Sequence, residues 1–525
     1  MAGRLMAVVS ARIFVNSYRD SVELMQIAAS IEGRDGIERA GLVMATPANR
    51  DVLAAAGLLT DAVGSAGPND LVVAVAATDD ETATAALDEA MARLTGGPGG
   101  DGAGEATATT ASTLAEAVTE LEGANIVLIA TPGAYASAEA RKALKRGLHV
   151  FMFSDNVPVE DEIELKALAR ERGLLLMGPD CGTAILDGVP LGFANHVRRG
   201  TIGLAGASGT GLQQVTSLID RFGAGVSQAI GVGGRDLDER VGGVMMIDAI
   251  ERLAADPGTA VIVLISKPPA ASVAERVMTA ASKAGKPVVV NLLDGDPKAV
   301  AEAGLTFAGT FEDAARLASA LALGQPTPDT GPGTTRDDER NGHDSEARTG
   351  DLTTGFAEGQ RRIRGLYSGG SLAGEAKLLL KTGLGAEAAK AHEILDLGDD
   401  EYTVGRPHPM IDPRLRNEKI EATAADPTVA VILLDVVLGT GANPDPAGVL
   451  VPAIEAAQAT ATREGRRLVV VASVCGTDGD PQGLAAQERT LADAGVVLAP
   501  SNARAARIAA SIAASLSGTT VGGPA

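Results

Sequence analysis

A chain of 525 residues is longer than one hydrophobic core usually supports, so three or four domains are expected. Apolar residues make up 45% and aromatics 2%, with no Trp, so Ala, Val, Leu and Ile must fill the cores. The 45 Lys and Arg stand against 67 Asp and Glu, a net charge of −22 with no dense basic run, which excludes nucleic-acid backbone binding as the main task.

Val/Ile/Leu-rich runs alternate with helix-period segments along most of the chain, the rhythm of βαβ units and parallel sheets. Met1–Ser10 carries no apolar signal region, and no 18-residue apolar run occurs, so a cytoplasmic protein without membrane spans is expected. A small N-terminal αβ domain over 11–97 is predicted. It has strands at Arg12–Tyr18, Ala40–Ala45 and Leu71–Ala76, and helices at Asp20–Ile31, after Pro47 and at Glu81–Leu94. Gly96–Gly104 reads as a flexible joint. A Rossmann-like block over 113–198 follows, with strands at Ile126–Ala130, His149–Phe153 and Leu174–Met177. A third block, 199–323, has strands at Ile202–Ala205, Val226–Val232, Ala260–Ile265 and Pro287–Leu293. From 324 to 360 Gly, Pro, Thr and Asp dominate; such a segment buries too little apolar surface to offset its ordering entropy, so a disordered linker is expected. A fourth α/β block, 361–516, completes the chain. The fold class is therefore α/β, several doubly wound parallel-sheet domains behind a small N-terminal domain.

The third and fourth blocks look duplicated. Ala254-Ala255-Asp256-Pro257 before one apolar strand recurs as Ala424-Ala425-Asp426-Pro427 before another, Gly234-Arg235 parallels Gly405-Arg406, and a Gly/Ser turn opens each block. The first of these turns runs Gly206 to Gly211. A strand feeds Ser208, Gly209, Thr210 and Gly211 and then a helix, so unpaired amides and the helix dipole would suit phosphate or carboxylate. The bland alternative is an ordinary N-cap. The equivalent Ser368, Gly369, Gly370 and Ser371 allows the same two readings. Asp396–Arg416 is a long polar loop stiffened by prolines, either functional or a solvated contact loop; within it Arg406 and His408 are candidate catalytic groups. Arg235, after a strand end, either grips a carboxylate or makes a structural salt bridge. Cys181 reads as a packed thiol and Lys267 as part of a surface loop. Only Cys181 and Cys475 are present, far apart and outside any Cys/His cluster, so no zinc site is predicted.

Gly178-Pro179-Asp180-Cys181 resembles the GPNC turn of the succinyl-CoA synthetase α subunit, Ile202–Thr210 its strand leading to SGT, and Gly231–Gly234 its GxGG strand end. That likeness spans roughly 113–322, and the fourth block is similar to the C-terminal domain of the β subunit. From about 12 to 515 the chain more closely resembles the FdrA family, through Asn69-Asp70, Phe151–Val157, Met177–Thr183, Gly206–Gly211, Gly233–Leu237 and Leu395–Arg416. The synthetase's phosphorylated histidine sits in a GHAGA loop. Here Lys298–Gly309 reads KAVAEAGLTFAG, and the five histidines (149, 196, 343, 392 and 408) lie elsewhere. No ATP-grasp segment is present, and the first half of the CoA-binding unit is replaced, so no cofactor is assigned; CoA or a nucleotide stays an open alternative. The FdrA resemblance implies a subunit of oxamate carbamoyltransferase in allantoin breakdown, joining oxalurate and phosphate to oxamate and carbamoyl phosphate. It also implies a small anionic substrate and separate partner subunits. An acyl-CoA synthetase that borrows a nucleotide-binding partner, and a non-catalytic scaffold, are the alternatives.

Overall fold

The computed structural model describes residues 8–95 apart from 16, 18 and 20, then 111–328, 351–403 and 407–518. The glycine joint 96–104, the linker residues 329–350 and the candidate Arg406 lie outside the described residues. The chain divides into two compact units, 1–109 with 400–407, and 110–399 with 408–525. Among the described residues no helix is long and apolar enough to cross a membrane.

The first unit contains β1 (Val8–Phe14), α1 (Ser21–Glu32), β2 (Ile37–Met44), α2 (Pro47–Ala55), α3 (Asp61–Ser65), β3 (Leu71–Ala77) and α4 (Asp80–Thr95). Its sheet runs β1-β3-β2, and both pairings are antiparallel. Central β3, LVVAVAA, is apolar without alternation because both its faces are covered: Val73 and Val75 pack in one core, Val72 and Ala74 in another. The first strand begins and ends about four residues before the expected Arg12–Tyr18. Its length is matched to β3, with Val8 opposite Ala77 and Phe14 opposite Leu71.

The second unit opens with α5 (Leu114–Glu120) and a three-stranded parallel sheet of β4 (Ile126–Ile129), β5 (His149–Met152) and β6 (Leu176–Met177). Helices α6 (Gly133–Lys145) and α7 (Val159–Glu171) connect its strands. A hairpin that sequence pattern missed, β7 (Thr183–Leu186) and β8 (Val189–Gly192), pairs with the next sheet through Ile185 and Ala229. That sheet therefore starts before residue 199. It continues with β9 (Arg199–Ala207), α8 (Gly209–Arg221), β10 (Val226–Gly231), α9 (Val244–Ala255), β11 (Val261–Ser266), α10 (Ala271–Ser282), β12 (Val288–Leu292), α11 (Pro297–Glu302), β13 (Thr306–Phe307) and α12 (Phe311–Leu323).

The last sheet comprises β14 (Arg362–Tyr367), α13 (Gly370–Leu384), β15 (Glu393–Asp396), α14 (Arg414–Thr423), β16 (Val429–Val437), α15 (Pro446–Arg463), β17 (Val469–Cys475), α16 (Leu484–Asp493), β18 (Val497–Ala499) and α17 (Asn502–Ser517). Its order is β15-β14-β16-β17-β18, all parallel; the parallel part of the preceding sheet runs β10-β9-β11-β12-β13. Numbered from their first strands, both are 2-1-3-4-5, the flavodoxin-like order. The duplication seen in sequence is thus a duplication of topology. Its repeated Ala-Ala-Asp-Pro closes the same turn twice: Asp256 accepts from Thr259 Oγ1 (2.7 Å) and Asp426 from Thr428 Oγ1 (2.6 Å).

One continuous core packs the two duplicated sheets together, uniting Leu212 and Phe311 with Leu372 and Ile512. A second core fastens the three-stranded sheet to the other face of the first repeat. The expected disorder of 324–360 fails at its end. Leu352 and Phe356 pack against the core, and buried Gln360 donates to Val429 O (2.9 Å) and Arg467 O (2.8 Å).

Candidate functional site

In a 2-1-3-4-5 sheet, ligands collect outside the carboxyl ends of the first and third strands. For the first repeat these are β9, running into Ser208, and β11, running into Lys267; their last residues, Ala207 and Ser266, are paired. For the second they are β14, running into Ser368, and β16. The two repeats bring these edges together. Ser208 caps α8, accepting the Gly211 N–H (3.1 Å), and its hydroxyl donates to Ser371 Oγ (2.6 Å) in the first turn of α13. A side chain on Gly369 would strike Thr210 (2.8 Å), so glycine there is what lets the helix ends meet.

The two ends are not equivalent. At α13, the amides of Ser368 and Gly369 each donate to the carboxylate of Asp435 (both 2.8 Å), which is fully buried and paired with buried Arg416 (3.1 Å). The Asp396 carboxylate lies against Gly370. The expectation that Gly369, Gly370 and Ser371 form a second phosphate site is therefore corrected. Asp435 takes the Gly369 amide, Ser371 Oγ accepts from Ser208, and the carboxylates of Asp435 and Asp396 would repel another anion. At α8 the Gly209 and Thr210 amides open the helix, where no intrahelical acceptor exists. Facing Gly209 is Thr183, buried, whose Oγ1 lacks a hydrogen-bond partner and lies 3.7 Å from where a Gly209 side chain would begin.

Lys267, read from sequence as part of a surface loop, and Asp396, the first residue of the polar loop, border α13. Lys267 Nζ comes within 3.4 Å of the position a Gly370 side chain would take. Asp396 ends β15 and accepts the Gly398 N–H (3.0 Å); burial pushes its pKa up, opposed by the charge of Lys267. His408 Nε2 lies 2.7 Å from the side-chain position of Gly398, beside Asp396. Its ring packs 5.5 Å from the Phe193 ring. Desolvation pushes the imidazole down to about 4, so it is neutral near pH 7. Because Nδ1 accepts the Met410 N–H (3.2 Å), the proton sits on Nε2, toward Asp396. His408 is thus a neutral N–H donor and not the cationic acid that a free histidine would offer.

The remaining candidates are structural. Arg235 donates to Val157 O (2.7 Å) and pairs with buried Glu162 (3.0 Å), beside the fully buried Lys166, which binds Glu162 (2.8 Å) and Asp236 (2.7 Å). Asp236 in turn accepts the Met246 N–H (2.9 Å) at the start of α9, so this cluster fastens α7 to the first repeat. Arg235 is not a substrate grip. Burial pushes the Cys181 thiol up to about 12, as expected of a packed thiol. The stretch Lys298–Gly309 forms most of α11 and β13, so Glu302 ends a helix leading into the amino end of a strand. At the carboxyl edge, β12 joins α11 through only Leu293–Asp296, and Leu293 is buried against Gly374. This connection carries no histidine.

Three family models match parts of the chain: CoA-ligase over 366–512, CoA-binding domain over 197–293, and one described as "AllF, heavy metal-associated domain" over 6–111. The CoA-binding match falls largely on the block that sequence reading took as the first ligase domain. The chain is 28% identical over 224 residues to the succinate–CoA ligase [ADP-forming] subunit alpha of Methanothermobacter thermautotrophicus, covering 40% of this chain and 75% of that one. Among solved structures, the apo dinucleotide-forming acetyl-coenzyme A synthetase 1 of Ca. Korarchaeum cryptofilum matches over 75% of this chain and 83% of that one. At 16% identity and a TM-score of 0.32, it carries no argument. Topology, site and family models together define an α/β protein of the CoA-ligase, succinyl-CoA-synthetase-like class. Over 508 residues the chain is 42% identical to the uncharacterized protein YahF of Escherichia coli, covering 93% of this chain and 95% of YahF. It belongs to the FdrA family, as YahF does.

Neither group these family names imply fits the residues present. Residues 6–111 contain neither Cys nor His, the commonest ligands of soft heavy metals, and among the described residues no cluster of three His, Cys, Asp or Glu is placed to hold a metal. The α8 amides are hemmed by Gly182 and Thr183 on one side and Gly369 and Ser371 on the other. That crowding does not suit a group the size of CoA.

Proposed function

We propose that this chain is a subunit of a carbamoyltransferase interconverting oxalurate and phosphate with oxamate and carbamoyl phosphate, completed by separate partner subunits. The observation that carries this reading is a carboxyl-edge site furnished with oxyanion donors, beside a β12–α11 connection that carries no histidine. The donors are the Gly209 and Thr210 amides, unpartnered Thr183, Lys267 and the Nε2–H of His408. Membership of the FdrA family and the AllF-described N-terminal match support the same reading.

Such a site needs no covalent enzyme intermediate. Hydrogen phosphate held at the α8 end attacks the ureido carbonyl carbon of oxalurate. The new C–O bond forms as the bond from that carbon to the oxamate nitrogen breaks, and the proton of hydrogen phosphate ends on that nitrogen. Asp396, its pKa pushed up by burial, relays the proton in this reading. Lys267 holds the substrate carboxylate, and His408 donates to the carbonyl oxygen as negative charge develops there. The test is reconstitution with the partner subunits and measurement of carbamoyl phosphate from oxalurate and phosphate, with Gly209→Ala abolishing it. Retention of label from [γ-32P]ATP on the protein, with acyl-CoA formed, would replace this reading by an acyl-CoA synthetase. Full activity in Gly209→Ala with altered assembly would replace it by a scaffold.

A further inference from the structure

In a chain with 45 basic against 67 acidic residues, a place where cations outnumber acids runs against the general charge. One lies at the amino ends of β14 and β15, at the other end of the sheet from Ser368 and Asp396. A cavity of about 350 Å³ there is lined by Arg362, Arg364, Lys390, His392 and Glu393, with Ile363 and Ala391 between them. Its one acid is already neutralised, because Glu393 pairs with Arg364, which also reaches Asp426 (3.6 Å). Arg362 has no ion pair among the described residues. Lys390 pairs with Glu387 (2.7 Å), but both side chains are exposed, and such pairs contribute little. His392 is fixed by accepting the Ile363 N–H at Nδ1 (3.1 Å), which leaves the proton on Nε2 and makes the ring a neutral donor. A guanidinium without an ion pair, an ammonium held only by an exposed pair, and an N–H donor therefore line one concavity. Its volume lies at the lower end of the range of small-ligand sites, roughly 300–1,000 Å³.

We propose that this cavity binds a small oxyanion carrying two or more negative charges, a phosphate or a dicarboxylate. The proposal does not rest on the carbamoyltransferase reading, since it concerns the opposite edge of the sheet. Guanidinium, ammonium and imidazole N–H groups together match the several acceptor oxygens of such a ligand, whereas a singly charged halide would use only one.

The experiment reads Arg362 itself. The full-length protein is treated with phenylglyoxal in inorganic phosphate, in malonate, or in sodium chloride of equal ionic strength, and modification of Arg362 is followed by peptide mass spectrometry. At least fivefold protection by phosphate or malonate over chloride is expected. Protection by phosphate alone marks a phosphate-bearing ligand, and protection by malonate alone a dicarboxylate. Lys390→Ser, an exposed position whose change leaves the fold intact by thermal melting, should abolish the protection. Equal protection by chloride, or protection that survives Lys390→Ser, would overturn the proposal.

Discussion

A half-buried imidazole and a buried carboxyl of the second unit give stability opposite dependences on pH, and each masks the other. His408 has a folded pKa of about 4 against an ordinary 6.5. Between those values the unfolded chain binds the extra proton, so the contribution of His408 to stability is lost as pH falls from 6.5 toward 4. Glu375 is buried, accepts the Phe311 N–H (2.7 Å) and Asn502 Nδ2–H (2.8 Å), and has its pKa pushed by burial from 4.5 to about 7. There the folded state binds the extra proton, and stability is lost as pH rises from 4.5 through 7. At 1.36 kcal/mol per pH unit, 6.5 to about 4 and 4.5 to about 7 are each worth on the order of 3 kcal/mol, with opposite signs. In the natural chain the two slopes largely cancel. The perturbations are His408→Gln and Glu375→Gln, each compared with the parent by urea unfolding from pH 4.5 to 7.5. Relative to the parent, His408→Gln should gain stability as pH falls, and Glu375→Gln should gain it as pH rises. Two pH-independent differences, or two slopes of the same sign, would refute the burial of these groups as the source of their shifts.

Asp435→Asn strips the partner from buried Arg416 and weakens the acceptor for two helix amides; it should cost about 3–5 kcal/mol, and Asp435→Asn with Arg416→Met should recover part of that in a denaturation cycle. Gly209→Ala meets nothing closer than 3.7 Å, so it should leave stability unchanged or raise it by up to ~1 kcal/mol while reducing phosphate-dependent activity at least tenfold. Lys166→Met leaves Glu162 and Asp236 facing each other without their buried cation and should destabilise by about 3–5 kcal/mol, read as a lowered melting midpoint.

Much of the architecture is legible in short runs. Leu71–Ala77 and Val261–Ser266 are strands because seven or five apolar residues in line can be buried only between two layers. Ala-Ala-Asp-Pro marks the duplication because each copy needs a carboxylate to close the same turn. The β7–β8 hairpin escaped because four-residue strands carry too little periodicity to register. Lys267 and Asp396 could not be paired from sequence, since 129 positions separate them and only the meeting of two repeats joins them. One signal was available and unused: Asp435 interrupts the apolar run Val429–Val437, and a carboxylate inside a fully buried strand must have partners. Following it would have led to Arg416 and to the amides of Ser368 and Gly369.

Duplication by itself makes two equal helix ends, and equal ends would compete for any anion. The asymmetry between them lies in what each strand edge supplies. The third strand of the second repeat delivers Asp435 into its own Ser-Gly turn, satisfying the donors from within the chain. The third strand of the first repeat has Ser266 at the register of Asp435, and Lys267 follows one residue past its edge. One end is thereby neutralised and becomes part of the wall, with Ser371 holding Ser208 in place. The other keeps two open amides beside an unpartnered hydroxyl, with a positive charge bordering the adjoining helix end. The duplicated scaffold thus becomes a single polar site, and the carboxylate carried by the second repeat's third strand decides which Ser-Gly turn is closed.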